Sequence, residues 1–157
     1  RTLELGMRRQ NEILKRLGVD TGPISFGGGA GGSLGDQTTP RATVSLLAAM
    51  SKHADFRAFK NALPILGIDG TLRRAVSETS TALGHVFAKT GTMGYDNLLD
   101  GTTLLRAKAL GGYMVTASGR ELTFAVFVNN FVMRDGWTAT KVGETLGRIC
   151  EVIHDGF

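Results

Sequence analysis

The residues best suited to chemistry are Lys89, Thr90, Gly91 and Thr92, which follow one another within a β-rich stretch at 85–93. Lys89 supplies a cation, and the two threonines supply hydroxyl donors. Because side chains alternate along a strand, Thr90 and Thr92 are predicted to share a face. Gly91 lets the backbone of a ligand approach closely. This combination suits recognition of a carboxylate or a carbonyl, although an exposed strand without a ligand has the same pattern.

Three strands and a C-terminal helix are predicted to position this stretch. The first strand covers residues 85–93, and the next two, at 110–118 and 122–131, form a hairpin through a turn at Gly119. Apolar residues at helical spacing predict a helix over 137–153. Strands followed by a helix on one sheet face indicate an α+β fold.

The segment between the first two strands, residues 94–108, is predicted to leave the sheet as an extension beside the rim of a cleft. Two interpretations stay open for it. It either shapes the access of a ligand or is a surface excursion without a role.

The N-terminal part of the chain is predicted to contain helices and one long loop. An amphipathic helix over 1–17 ends at Gly18. Thr39-Pro40 begins a second helix, with a hydroxyl at the N-cap and proline in the first turn. The glycine-rich loop at 20–33 lacks the Gly-Lys-Ser/Thr ending of a phosphate-binding loop and is predicted to be a turn.

Two shorter helices are predicted further along, over 55–63 and 71–76. Asp69 lies between them, next to Gly70. Its position favours a turn or capping role over a catalytic one.

Composition excludes several classes of function. The 157 residues, 42% of them apolar, suit one soluble globular domain. The net charge of +4 is spread along the chain without a basic stripe interleaved with aromatic residues, so nucleic acid is not a predicted partner. The single cysteine, Cys150, is predicted to be a buried apolar residue. His53, His85 and His154 are far apart in the sequence and have no cysteine partners, so neither a metal nor a cofactor is predicted.

Two further segments accompany the Lys-Thr-Gly triplet: LPILGIDGTL at 63–72 and LGGYMVTASGREL at 110–122. In this order, the three segments resemble the low-molecular-mass penicillin-binding proteins of the S13 peptidase family, which are D-alanyl-D-alanine carboxypeptidases and endopeptidases. The resemblance runs from about Gly18 to Phe157. It implies a penicillin-binding-protein/β-lactamase-like fold, an antiparallel sheet packed with helices.

Two motifs of penicillin-reactive serine enzymes are missing from this sequence. None of its serines begins a Ser-x-x-Lys or a Ser-x-Asn motif. The resemblance places both motifs before Arg1. Residues 1–157 are therefore interpreted as the C-terminal part of a serine DD-peptidase domain, either a processing product or a truncated chain, and are predicted to be inactive alone.

The resemblance also implies roles for the residues of the triplet. Lys89 would be the catalytic cation, and Thr90, Gly91 and Thr92 would bind the substrate, a peptidoglycan peptide ending in D-Ala-D-Ala, or a β-lactam. Strand backbone near Thr92 would supply one donor to the oxyanion. The implied location is periplasmic or otherwise extracytoplasmic, with membrane association possible.

Partners and alternatives follow from the number of strands. The family sheet has five strands, so three strands alone leave an edge that pairs with the N-terminal part of the same enzyme or with a second copy. Two other functions stay open: a non-catalytic module that binds the cell wall, and a structural subunit that completes the sheet of a partner.

Overall fold

The computed structural model describes residues 2–157 and confirms an α+β fold with an antiparallel sheet. Its contacts divide the chain into two compact units, residues 1–56 and 57–157. In chain order the elements are α1 (Thr2–Arg16), α2 (Pro40–Met50), α3 (Phe56–Asn61), β1 (Val86–Asp96), β2 (Thr103–Val115), β3 (Glu121–Met133) and α4 (Ala139–Gly156). Within residues 2–157, no helix combines the length and the apolar character needed to cross a bilayer.

The first unit contains α1, the glycine-rich loop and α2. The predicted start of α2 is confirmed, since Thr39 Oγ1 accepts a hydrogen bond from Ala42 N at 3.1 Å and Pro40 lies in the first turn. Gly18 follows α1 with φ +77°, as a C-terminal glycine does. The amphipathic α1, however, has no buried residue.

The glycine-rich loop is a closed turn, as predicted. The Asp36 carboxylate accepts hydrogen bonds from Gly27 N at 2.8 Å and Ser33 N at 2.9 Å. A β-bridge between Ser25 and Gln37 closes its base. Two of its backbone donors therefore bind the side chain of Asp36, which follows the loop.

The second unit is built on a sheet of order β1-β2-β3, with both neighbouring pairs antiparallel. The hairpin between β2 and β3 is confirmed, and Gly119 has φ +81° in its turn. The prediction for residues 94–108 was wrong in its main part. β1 continues to Asp96 and β2 begins at Thr103, so only residues 97–102 leave the ladder.

A bulge interrupts the pairing of β1 with β2. The register shifts between Met93 and Gly94 in β1, where Arg106 is the extra residue of β2, whereas the register of β2 with β3 continues and leaves Arg106 opposite Asn130. Asn130 has φ +56°, and its side-chain oxygen accepts a hydrogen bond from Arg106. This bulge separates the core of the sheet from the longer hairpin tip.

The core lies between one sheet face and α4. Val86, Leu110 and Met114 from the sheet pack with Leu146 and Cys150 from the helix, each no more than 1% exposed. The Thr138 hydroxyl accepts a hydrogen bond from Lys141 N at 3.2 Å and caps the start of α4. Because Leu146 and Cys150 pack against Val86, the helix covers the face of β1 that also carries Ala88, Thr90 and Thr92.

Candidate functional site

The outer edge of β1 is covered only at the beginning of the strand. Leu66 N donates to Val86 O at 2.9 Å, and Ala88 N donates to Pro64 O at 2.9 Å. Within residues 2–157, no further strand or bridge pairs with this edge after Ala88. The open stretch therefore begins at Lys89, the first residue of the triplet.

The backbone groups that point out of this open edge follow from strand alternation. Because Val86 O and Ala88 N point outward, the N–H and C=O groups of Thr90 and Thr92 point outward too. Outside the sheet, neither N–H has a backbone acceptor in the described part of the chain. These N–H groups are thus available to an oxyanion or a peptide carbonyl.

The side chains of Thr90 and Thr92 line a cavity of about 220 Å³ beside α4. The Thr90 hydroxyl donates to the hydroxyl of Thr71 at 3.0 Å. The Thr92 hydroxyl accepts from the Lys108 ammonium at 2.8 Å. Alternation correctly predicted that the two threonines share a face, and the structure adds Thr71 and Lys108 to them.

Lys89 lies on the opposite face of β1. It is exposed, and its ammonium donates to the carbonyl oxygen of Thr90 at 2.9 Å. That face also carries the Phe87 ring, with the Lys60 ammonium 4.5 Å from its centroid. The structure therefore does not place the cation of the triplet beside its hydroxyls; it places Lys89 at the open edge.

Gly91 is exposed, and a Cβ built there would lie 3.6 Å from Ala109 Cβ, an ordinary contact. Packing within this chain therefore does not require glycine at this position. The close approach of a ligand remains the physical reason offered for it.

Lys108 is the site residue that sequence reasoning missed. It lies opposite Thr92 in the β1-β2 ladder and is partly buried. Burial, followed by the nearby charge of Lys89, lowers the pKa of Lys108 below its usual value. Gly143 of α4 leaves room for it, since a Cβ there would lie 3.2 Å from Lys108 Cε. Lys108 lies within residues 94–108, a segment that the sequence predicted to leave the sheet, so it was not predicted to face Thr92.

Two other residues have structural roles. Asp69 Oδ1 accepts from Ile65 N at 2.7 Å, which confirms the turn role, and the predicted helix over 71–76 is only a 3₁₀ turn at Gly70–Leu72. Cys150 is buried, and that burial, with Glu151 nearby, raises the pKa of its thiol to about 12. Such a thiol is a poor nucleophile.

In the described residues, no three His, Cys, Asp or Glu side chains cluster as metal ligands would.

Comparison with known proteins adds independent observations. The D-Ala-D-Ala carboxypeptidase 3 (S13) family matches residues 1–146. The chain is similar to the D-alanyl-D-alanine carboxypeptidase DacB of Haemophilus influenzae, with 28% identity over 89% of this chain and 27% of that protein. It spans about a quarter of the length of the curated relatives it matches.

Solved structures support the same fold. Penicillin binding protein 4 (dacB) from Haemophilus influenzae, solved in complex with a novel β-lactam, aligns with a TM-score of 0.76 and 24% identity, over 97% of this chain and 34% of that one. The TLA-1 extended-spectrum β-lactamase aligns with a TM-score of 0.61 and 18% identity, over 92% of this chain and 52% of that one. At these identities the alignments show the fold, and the fold is the one that the resemblance implied.

Proposed function

This chain belongs to the D-Ala-D-Ala carboxypeptidase 3 (S13) family, and from that premise we propose that it is the C-terminal part of a serine D-Ala-D-Ala carboxypeptidase or endopeptidase. The complete enzyme acts on peptidoglycan peptides outside the cytoplasm and is acylated by β-lactams. The observation that carries the proposal is the family match over residues 1–146. The open edge of β1 supports it, because the edge begins at the Lys-Thr-Gly triplet.

In this proposal the edge of β1 is one wall of the active site. The substrate peptide lies along the edge as an added strand, and the N–H groups of Thr90 and Thr92 face its carbonyl groups. The N–H near Thr92 stabilises the negative charge that develops on the attacked carbonyl oxygen. Lys89 adds positive charge at the same edge, and Gly91 leaves space for the substrate backbone.

The nucleophile is contributed by another part of the enzyme. None of the serines in this sequence has a lysine three residues later. Attack requires a serine whose proton is taken by a neighbouring base, and the Ser-x-x-Lys motif provides that pair in such enzymes. We therefore propose that residues 1–157 alone neither hydrolyse peptides nor react with β-lactams.

Incubation with a penicillin followed by intact-mass measurement tests whether the nucleophile lies outside residues 1–157. The isolated chain is expected to keep its mass, whereas the full reading frame is expected to gain one penicilloyl group and to release D-alanine from a D-Ala-D-Ala peptide. A stoichiometric adduct on a serine of residues 1–157 would refute the external nucleophile. A full-length protein that neither reacts nor releases D-alanine would refute the carboxypeptidase itself.

The absence of both serine motifs from this sequence also favours two other candidate functions. A module that kept only the wall of the cleft would bind cell-wall peptides without turnover, and a structural subunit would complete the sheet of a partner. Sequencing upstream of Arg1 separates these from the enzyme. A reading frame that contains Ser-x-x-Lys and Ser-x-Asn supports the enzyme, and a start codon at this point supports a binding or structural role.

A further inference from the structure

We infer that Lys108, together with the hydroxyls of Thr90 and Thr92, binds the terminal carboxylate of the ligand, and that Lys108 therefore determines specificity for free acids. The inference rests on the proposed function, because the carboxylate is that of the proposed substrate. It adds Lys108, which lies outside the Lys-Thr-Gly triplet, as the positively charged partner of this carboxylate. Three observations support it.

The first observation is the position of the positive charge relative to the hydroxyls. The Lys108 ammonium is 2.8 Å from Thr92 Oγ1, inside the cavity that Thr90 and Thr71 also line. Lys89 lies on the other face of the strand, exposed to solvent. A carboxylate that accepts hydrogen bonds from the threonine hydroxyls is thus beside Lys108, with Lys89 across the strand.

The second observation is that Lys108 lacks a negative partner. In the described part of the chain no carboxylate forms an ion pair with it, although Glu144 of α4 lines the same cavity. A partly buried ammonium without a counter-charge is unfavourable, and the lowered pKa of Lys108 reflects that burial. An anionic ligand would supply the missing charge.

The third observation is the connection between this cavity and the open edge. Thr92 presents its hydroxyl to the cavity and its N–H to the edge, so one residue joins the two parts of the site. A ligand whose carboxylate lies beside Lys108 therefore has its neighbouring carbonyl close to the edge donors. D-Ala-D-Ala peptides and penicillins have this sequence of groups, a carboxylate a few bonds from the attacked carbonyl.

Acylation of the complete enzyme by benzylpenicillin and by its methyl ester tests the inference. The wild-type enzyme is expected to react faster with the acid, and Lys108→Met is expected to lower the acid rate about 10- to 100-fold while leaving the ester rate nearly unchanged. Lys108→Arg, which keeps the charge, is expected to retain most of the preference for the acid. Lys141→Met is the matched control, because it removes an exposed lysine of α4 whose ammonium donates to Gly136 O, outside the cavity.

The outcomes separate the inference from the function. A wild-type enzyme that reacts with neither compound refutes the proposed function. An enzyme that reacts equally with acid and ester, or whose Lys108→Met variant keeps the wild-type preference for the acid, refutes the inference and leaves the function standing. A loss in Lys108→Met that affects acid and ester alike, or that Lys141→Met reproduces, also refutes it, since general damage or net charge would then explain the effect.

Discussion

Gly147 of α4 offers a sharp test of how the helix holds the cavity in shape. A Cβ built at Gly147 would lie 2.1 Å from the carbonyl oxygen of Ala75 and 2.9 Å from its carbonyl carbon. Both are backbone atoms that cannot rotate away. The Gly147→Ala variant must therefore move the helix and the segment around Ala75 apart by about 1 Å.

The magnitude follows from two opposing effects. Overpacking in a close-packed interior costs about 1–3 kcal/mol in the free energy of unfolding. Alanine, however, favours the helix over glycine by about 0.8–1 kcal/mol. Since the two effects oppose each other, we expect Gly147→Ala to lose up to about 2 kcal/mol of stability, which corresponds to a Tm lower by up to about 8 °C for a domain of this size.

Thermal unfolding of the complete enzyme, followed by circular dichroism, measures this shift. Gly156→Ala is the control in the same helix, because nothing lies within 4 Å of a Cβ built there. It is expected to match the wild-type Tm or exceed it slightly. A Gly147→Ala enzyme whose Tm equals that of Gly156→Ala would show that the two backbones are not in contact. Thr71 and Arg74, which precede Ala75 in the chain, line the cavity. Because the substitution moves this segment, the Gly147→Ala variant should also lose preference for acid over ester ligands.

Four further outcomes are expected. Lys89→Ala should fold normally but lower peptide turnover and acylation of the complete enzyme by about 10- to 150-fold; normal rates would show that Lys89 is only a surface residue. Acylation by an acid ligand should decline as pH rises through the lowered pKa of Lys108, because only the protonated ammonium binds a carboxylate. The charged groups around this ammonium are Lys89, Arg74 and Glu144. If the acid rate depended on pH no more than the ester rate up to the usual pKa range of lysine, the result would contradict this prediction. Cys150, with its pKa of about 12, should resist iodoacetamide at pH near 8 until the protein unfolds, and rapid labelling of the native protein would contradict its burial. The isolated chain should be oligomeric or poorly soluble in analytical ultracentrifugation, whereas a clean monomer with a cooperative transition would favour the binding module.

Much of the fold could be predicted from local signals. The Thr39-Pro40 start of α2 and the turn at Gly119 need only neighbouring residues, and both formed where the sequence placed them. The β-rich runs and the turn at Gly119 predicted the three strands, and apolar residues at helical spacing predicted α4. Their ends were less accurate, since a strand end depends on which residues of the partner strand remain opposite it.

The hairpin tip shows why residues 94–108 were misread. Gly94 and Gly101 suggest a loop, but Gly94 pairs with Leu105 and remains in the ladder. Only 97–102 forms the turn, where the Asp100 carboxylate accepts from Thr102 N at 3.1 Å and pairs with Arg134 of the segment after β3 at 2.6 Å. Pairing across the strands, which no local pattern reports, overrode the loop signals.

Prediction of the candidate site from the sequence was incomplete for the same reason, because part of the site depends on pairing between strands. The alternation of side chains along β1 nevertheless implied part of its arrangement. If Thr90 and Thr92 share a face, Lys89 between them must take the other face. The cation beside the hydroxyls then has to come from a neighbouring strand. Which residue supplies it depends on the register, because a slip of one residue would turn Lys108 away from Thr92 and present Ala107 or Ala109 instead. The bulge that begins after Met93 comes just beyond the Thr92–Lys108 pair, so the regular ladder from the core extends far enough to bring this lysine to the threonines.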